Sequence, residues 1–146
     1  MLLALKKTPP SNATWLDRLT SGIIKMRLVS QYSHGGVVVD GHLYQSNSSH
    51  GLHEIRSGEW SPERWDLFEV PGDDAHVLKT FAQLKGADYD WWSLLAFVGL
   101  RIRDASRLYC FEWCWIAQTG QSPTGRITPE MLLSDQLRRS QARRPA

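Results

Sequence analysis

The sequence predicts an α+β fold, with one antiparallel sheet in the middle of the chain and helices before and after it. Three observations carry this. A β-branched run from Gly36 to Val39 turns at Asp40-Gly41 into the extended stretch His42 to Ser46, which is the pattern of a hairpin closed by a two-residue turn. Apolar residues recur at three- and four-residue spacing on either side of that region, at Leu16, Leu19, Ile23 and Met26 and again at Val77, Leu78, Phe81 and Leu84, and this is helical periodicity. The 146 residues are 42% hydrophobic and 22% charged, with seven Trp, four Tyr and four Phe, a balance that suits one domain over 1–146 with a substantial core.

Taken in order, Thr14 and Asp17 open a helix over 15–28. After the hairpin, Gly51 to Ile55 and Trp65 to Val70 extend the sheet, the second strand stopping at Pro71-Gly72 because proline cannot donate to a ladder. Asp73 and Asp74 suit the positive end of a helix over 74–85 that stops at Gly86. Trp91 to Val98 forms another. Leu108 to Thr119, closed by Gly120, is apolar almost all round and is therefore a buried helix. Thr128, Pro129 and Glu130 supply a cap, a first-turn proline and a first-turn acid for a short helix to about Leu137.

Charge and cysteine usage narrow the function. Seventeen Lys and Arg against fifteen Asp and Glu give a net charge of +2, which gives no case for a nucleic-acid partner. The longest uncharged apolar run, Trp91 to Leu100, is too short to span a membrane. Met1 to Lys7 places its charges after its apolar residues, the reverse of a signal peptide, so a soluble cytoplasmic product is expected. Arg138, Arg139, Arg143 and Arg144 make a basic tail over 138–146, expected to be frayed and solvated. The two cysteines, Cys110 and Cys114, cannot build a disulfide framework. A C-x₃-C pair with no His-x₃₋₅-His nearby is a poor metal site, so neither metal nor cofactor is expected.

The chemistry is sought first at cysteine, whose thiolate attacks acyl carbons and is favoured at a helix N-terminus or beside an imidazolium. Cys110 falls in the first turn of the buried helix, whereas Cys114 lies one turn deeper, as a structural thiol. Among the histidines, His34 in Tyr32-Ser33-His34-Gly35-Gly36 stands at the mouth of a strand that can hold an imidazole rigidly. His42 in the turn, His50 in a loop, His53 on a strand face and His76 solvated on its helix read as structural or surface. On the strand paired with that of His34, the carbonyl of Gln45 can accept the imidazole proton and fix its tautomer.

This order of residues resembles the circularly permuted branch of the NlpC/P60 cysteine hydrolases, in which the histidine strand precedes the cysteine helix. The resemblance rests on Tyr32-Ser33-His34, Tyr89-Asp90 and the Cys110-x-Glu112 spacing and spans roughly residues 20–135. The sequence departs from the pattern at Phe111, where Ser is common, and at Gln45, where relatives carry His, Glu or another polar residue. The resemblance implies a papain-like fold, with Cys110 as thiolate, His34 as base and then acid, and Gln45 as orienter. It implies an ion pair of Cys110 and His34 that lowers the thiol pKa, the Cys110 amide as one oxyanion donor, and Tyr89 and Tyr32 as substrate or oxyanion residues. The reaction that the resemblance implies is cleavage of an amide bond, as in cell-wall peptides, through a thioester. A lipid acyltransferase or deacylase of the same fold, acting on acyl chains, is one alternative, with the basic tail and exposed tryptophans suiting a membrane surface. A non-catalytic phage or bacterial interaction domain is another. The oligomeric state is not encoded in any feature of the sequence.

Overall fold

A computed structural model describes residues 1–6, 31–70, 72–88, 108–125 and 127–134. The expected helices over 15–28 and 91–98, the basic tail and Tyr89 lie outside the described residues. The fold is α+β, with an antiparallel five-stranded sheet. The strands are β1 (Leu2–Lys6), β2 (His34–Val39), β3 (His42–Asn47), β4 (Gly51–Ile55) and β5 (Asp66–Glu69), and the two longer described helices are α1 (Asp74–Leu84) and α2 (Cys110–Thr119). The sheet order is β4-β3-β2-β1-β5. No described helix is long and apolar enough to cross a membrane.

The hairpin forms where the sequence places it: Asp40 and Gly41 take φ of 49° and 79°, the left-handed pair that a two-residue turn between twisted strands needs. β1 is the element that the sequence reading does not anticipate. It lies between β2 and β5, with Leu3 opposite Val37 and Phe68, and Leu3, Ala4 and Leu5 are all fully buried. A strand covered on both faces shows a continuous apolar run and no alternation. A 3₁₀ turn over Pro62–Arg64 leads into β5.

Alternation along the strands divides the sheet into two faces. Leu3, Leu5, Val37, Val39, Tyr44 and Leu52 join the main core with Phe81 of α1 and Phe111 and Trp113 of α2. Ala4, Val38 and Leu43 form a smaller cluster on the other face, against Leu2, Ile55, Trp60 and Trp65. The Asp73 side chain accepts the Ala75 N–H at 2.9 Å and caps α1, which ends at Leu84, one residue before the expected limit. α2 ends on Gly120 at φ 72°, the left-handed C-cap expected from sequence. Residues 129–134 are helical, with the Met131 N–H donating to the Thr128 hydroxyl at 3.3 Å.

Candidate active site

Cys110 is the first residue of α2, and the helix start is held by contacts on all sides. The Tyr109 hydroxyl donates to the Ile127 carbonyl at 2.7 Å and accepts the Ile127 N–H at 2.7 Å. Ser46 of β3 donates to the Leu108 carbonyl at 2.7 Å, and one turn on, the Trp113 indole N–H donates to the Tyr44 carbonyl at 2.9 Å. Tyr109 is the N-cap residue but gives no side-chain cap. The backbone amides of Gly35 in β2 and of Phe111 and Cys110 at the start of α2 lie near enough to the Cys110 thiol to favour its thiolate. Unsatisfied first-turn N–H groups carry the positive end of the helix dipole.

Gly35 permits this approach. A Cβ on it would lie 2.9 Å from Phe111 Cδ1 and 3.2 Å from Cys114 Sγ, closer than side chains pack.

His34 and Gln45 meet as expected. His34 Nε2 lies 2.7 Å from Gln45 Oε1, and because a carbonyl oxygen only accepts, the proton is on Nε2 and Nδ1 is bare. Gln45 is buried at 6% exposure. The ring of His34 packs at 5.6 Å on Trp65, over which Lys6 Nζ also stands, 5.3 Å from the centroid.

The expected ion pair is not the resting state. His34 pairs with Lys6, and Gly36 with Gln45, so the imidazole leaves β2 on the face of Val38 while Gly35 faces α2. Among the described residues no hydrogen bond joins the Cys110 sulfur to that ring. Cys110 is 3% exposed, and burial, with the Glu112 charge adding to it, pushes its thiol up to about 12 despite the three amides. Burial pulls His34 down to about 4, with the Lys6 and His53 charges adding to the effect and the Gln45 bond opposing it. At neutral pH the pair is a thiol and a neutral imidazole, because loss of hydration outweighs what the amides and the glutamine return.

The other expected residues separate. Cys114 is fully buried and its thiol is raised by burial, in keeping with a structural thiol. Tyr32 is buried, with its hydroxyl donating to Asp66 at 2.9 Å and its ring meeting Phe68 edge-on. Trp113 is fully buried, and Trp60, Trp65 and Trp115 are half-buried, so the described tryptophans do not form an exposed apolar patch. His42 begins β3 instead of occupying the turn and pairs with Glu54 at 2.6 Å. His76 is half-buried, 3.4 Å from the Thr80 hydroxyl. His53 is the residue that sequence reasoning missed. It lies opposite Gln45 in the ladder, with its Nε2 3.3 Å from Gln45 Nε2; the signal was its parity with Gln45 across a three-residue turn.

Among the described residues no three His, Cys, Asp or Glu side chains gather to hold a metal ion. No family model matches the chain, and no curated protein matches it.

Proposed function

We propose that the protein is a cysteine hydrolase of the permuted NlpC/P60 type that cleaves an amide bond, with Cys110 as nucleophile, His34 as general base and then acid, and Gln45 as orienter. The observation that carries this reading is the bond of His34 Nε2 to Gln45 at 2.7 Å, which leaves Nδ1 as the basic nitrogen, on the residue that precedes Gly35, whose amide lies near the Cys110 thiol. A papain-like division of labour needs these parts: a sulfur at a helix start, an imidazole of fixed tautomer and amides for developing charge.

In the acylation step the sulfur attacks the substrate carbonyl carbon as its S–H proton passes to His34 Nδ1 around the start of β2. The C–N bond then breaks, the proton leaves with the amine, and the acyl group remains on sulfur as a thioester. Water attacks that thioester with His34 again as base, releasing a carboxylic acid and restoring the thiol. A neutral imidazole is already the form that such a base requires. Substrate entry must bring the ring and sulfur onto one side of the strand.

A second reading, a non-catalytic interaction domain, is favoured by one observation, the 3% exposure of Cys110. One experiment decides between them. Incubation with peptidoglycan fragments and, separately, with short acyl esters, followed by mass spectrometry of the peptide carrying Cys110, is expected to show an acyl adduct from the peptide fragments. The adduct is absent in Cys110→Ser, and its formation slows by on the order of a hundredfold in His34→Ala. An adduct from the esters alone gives the lipid-acyl alternative, and no adduct from either gives the interaction domain.

A further inference from the structure

The polarity of the bond between Gln45 and His34 traces back to the turn that joins β3 and β4. There the Asn47 side-chain oxygen accepts the amides of Ser49 at 3.0 Å and His50 at 2.9 Å. An amide that accepts twice through its oxygen turns its nitrogen the other way, and Asn47 Nδ2 lies 3.4 Å from His53 Nε2. On the far side of the same ring, His53 Nδ1 lies 2.9 Å from the Gly51 carbonyl. That carbonyl only accepts, so the His53 proton is on Nδ1 and Nε2 is an acceptor. Gln45 Nε2, at 3.3 Å, donates to it, and this turns Gln45 Oε1 toward His34.

Every link has one direction because it starts on backbone groups that cannot exchange roles. An isolated glutamine has no such direction: its two ends are nearly isosteric, and either could face an imidazole. With Gln45 reversed, His34 would accept at Nε2 and carry its proton on Nδ1, where it can take none from a thiol. Gln45 is buried at 6% exposure, so water is a poor substitute for His53.

We propose that His53 and Asn47 are positioning residues that hold Gln45 in one amide orientation and thereby keep the His34 Nδ1 lone pair available; this rests on the reading of His34 as the general base. Neither residue touches the reacting atoms. The route runs from the β3–β4 turn through His53 and Gln45 to the imidazole, along the sheet face opposite α2.

The test reads the tautomer directly. Two-bond proton–nitrogen correlation spectra of the ¹⁵N-histidine-labelled chain, with His34 assigned by its loss in His34→Ala, are expected to show a protonated Nε2 and a bare Nδ1. Asn47→Asp keeps an oxygen for the Ser49 and His50 amides but replaces the donor to His53 with an acceptor. Its expected result is a proton on His53 Nε2, a reversed Gln45 amide and the His34 proton moved to Nδ1. His53→Phe is expected to give a mixture of the two His34 tautomers, and His53→Gln, whose carbonyl can accept from Gln45, to restore the parent form. Acylation of Cys110 by a peptidoglycan fragment is expected to fall at least about tenfold in kcat in Asn47→Asp, with KM near the parent value. A His34 that keeps its Nε2 proton in Asn47→Asp overturns the proposal, whether or not His53→Phe folds. A tautomer that moves as expected in a parent protein that never acylates Cys110 overturns the hydrolase reading and leaves the hydrogen-bond route assigned.

Discussion

Gln45 Oε1 holds the Nε2 proton of His34 at 2.7 Å, and the backbone of Gln45 stands opposite Gly36 in the ladder. The absence of a side chain at Gly36 leaves Gln45 room: a Cβ there would be 2.8 Å from Leu43 Cδ1 and 3.3 Å from Gln45 Cβ. A neutral acceptor fixes the imidazole without charging it, which is consistent with a His34 that burial lowers to about 4.

Gln45→Glu replaces that neutral acceptor with a carboxylate of the same shape. An opposite charge in contact favours the imidazolium, so the His34 midpoint, followed by proton NMR of its ring, is expected to rise from about 4 by at least about one pH unit. Gln45→Leu removes the bond that favours the charged form, and the midpoint is expected not to rise. A midpoint that stays still in Gln45→Glu would mean that the bond does not form in solution.

Stability is expected to fall on both sides of neutrality. The lowered His34 pKa means that, as pH drops from about 6.5 toward about 4, the unfolded chain takes up a proton that the folded chain refuses. The resulting loss is on the order of 3 kcal/mol. The raised Cys110 pKa acts in the opposite direction: as pH climbs from about 9 toward about 12, the unfolded chain gives up a proton that the folded chain keeps. Urea midpoints measured at pH 4.5, 7.5 and 10 check this. His34→Gln is expected to flatten the acid side and Cys110→Ala to reduce the alkaline loss, with Cys114, Tyr32 and Tyr44, all raised by burial, supplying the remainder.

Resting Cys110 is expected to react with iodoacetamide more slowly than a free cysteine at pH 7, with a rate that climbs only at alkaline pH, because thiolate is the nucleophile and Cys110 is buried. Fast labelling at pH 7 that disappears in His34→Ala would instead establish a standing thiolate–imidazolium pair.

Gly35→Ala is expected to cost about 1–3 kcal/mol by urea unfolding, since the new methyl group meets Phe111 and Cys114 in a close-packed core. Phe111→Leu in the same chain should return part of the stability. A double mutant no more stable than Gly35→Ala alone would show that the strain arises elsewhere.

Much of the local structure was legible because it is chemically local. Asp40-Gly41 announces a left-handed turn, Asp73 a cap, Gly120 a helix end, and an apolar circumference the burial of α2. Pairing of the His34 and Gln45 strands followed from the hairpin alone, since a two-residue turn sets the register. Two features did not come through. β1 is buried on both faces, so Leu2 to Leu5 shows no period that separates a strand from a short helix. His53 looked like any half-exposed strand histidine, because its meaning comes from the register Gln45↔His53 and from the roles that Gly51 and Asn47 impose on its nitrogens.

The sequence by itself determined the element types around the sheet, the end of α2 at Gly120 and the hydrogen-bonded neighbourhood of His34 and Gln45, all of which depend on turns, caps and strand pairing between near neighbours in the chain; it began α2 at Leu108, two residues before its start at Cys110. Only the tertiary structure decided that the sulfur sits against the Gly35 amide while the imidazole turns to the opposite face of the sheet, both uncharged. Which face a strand residue takes is read from alternation, but which face a distant helix covers depends on where the larger apolar surface lies. Here that surface belongs to Val37, Val39, Tyr44 and Leu52, and its burial placed α2 on the side away from the histidine.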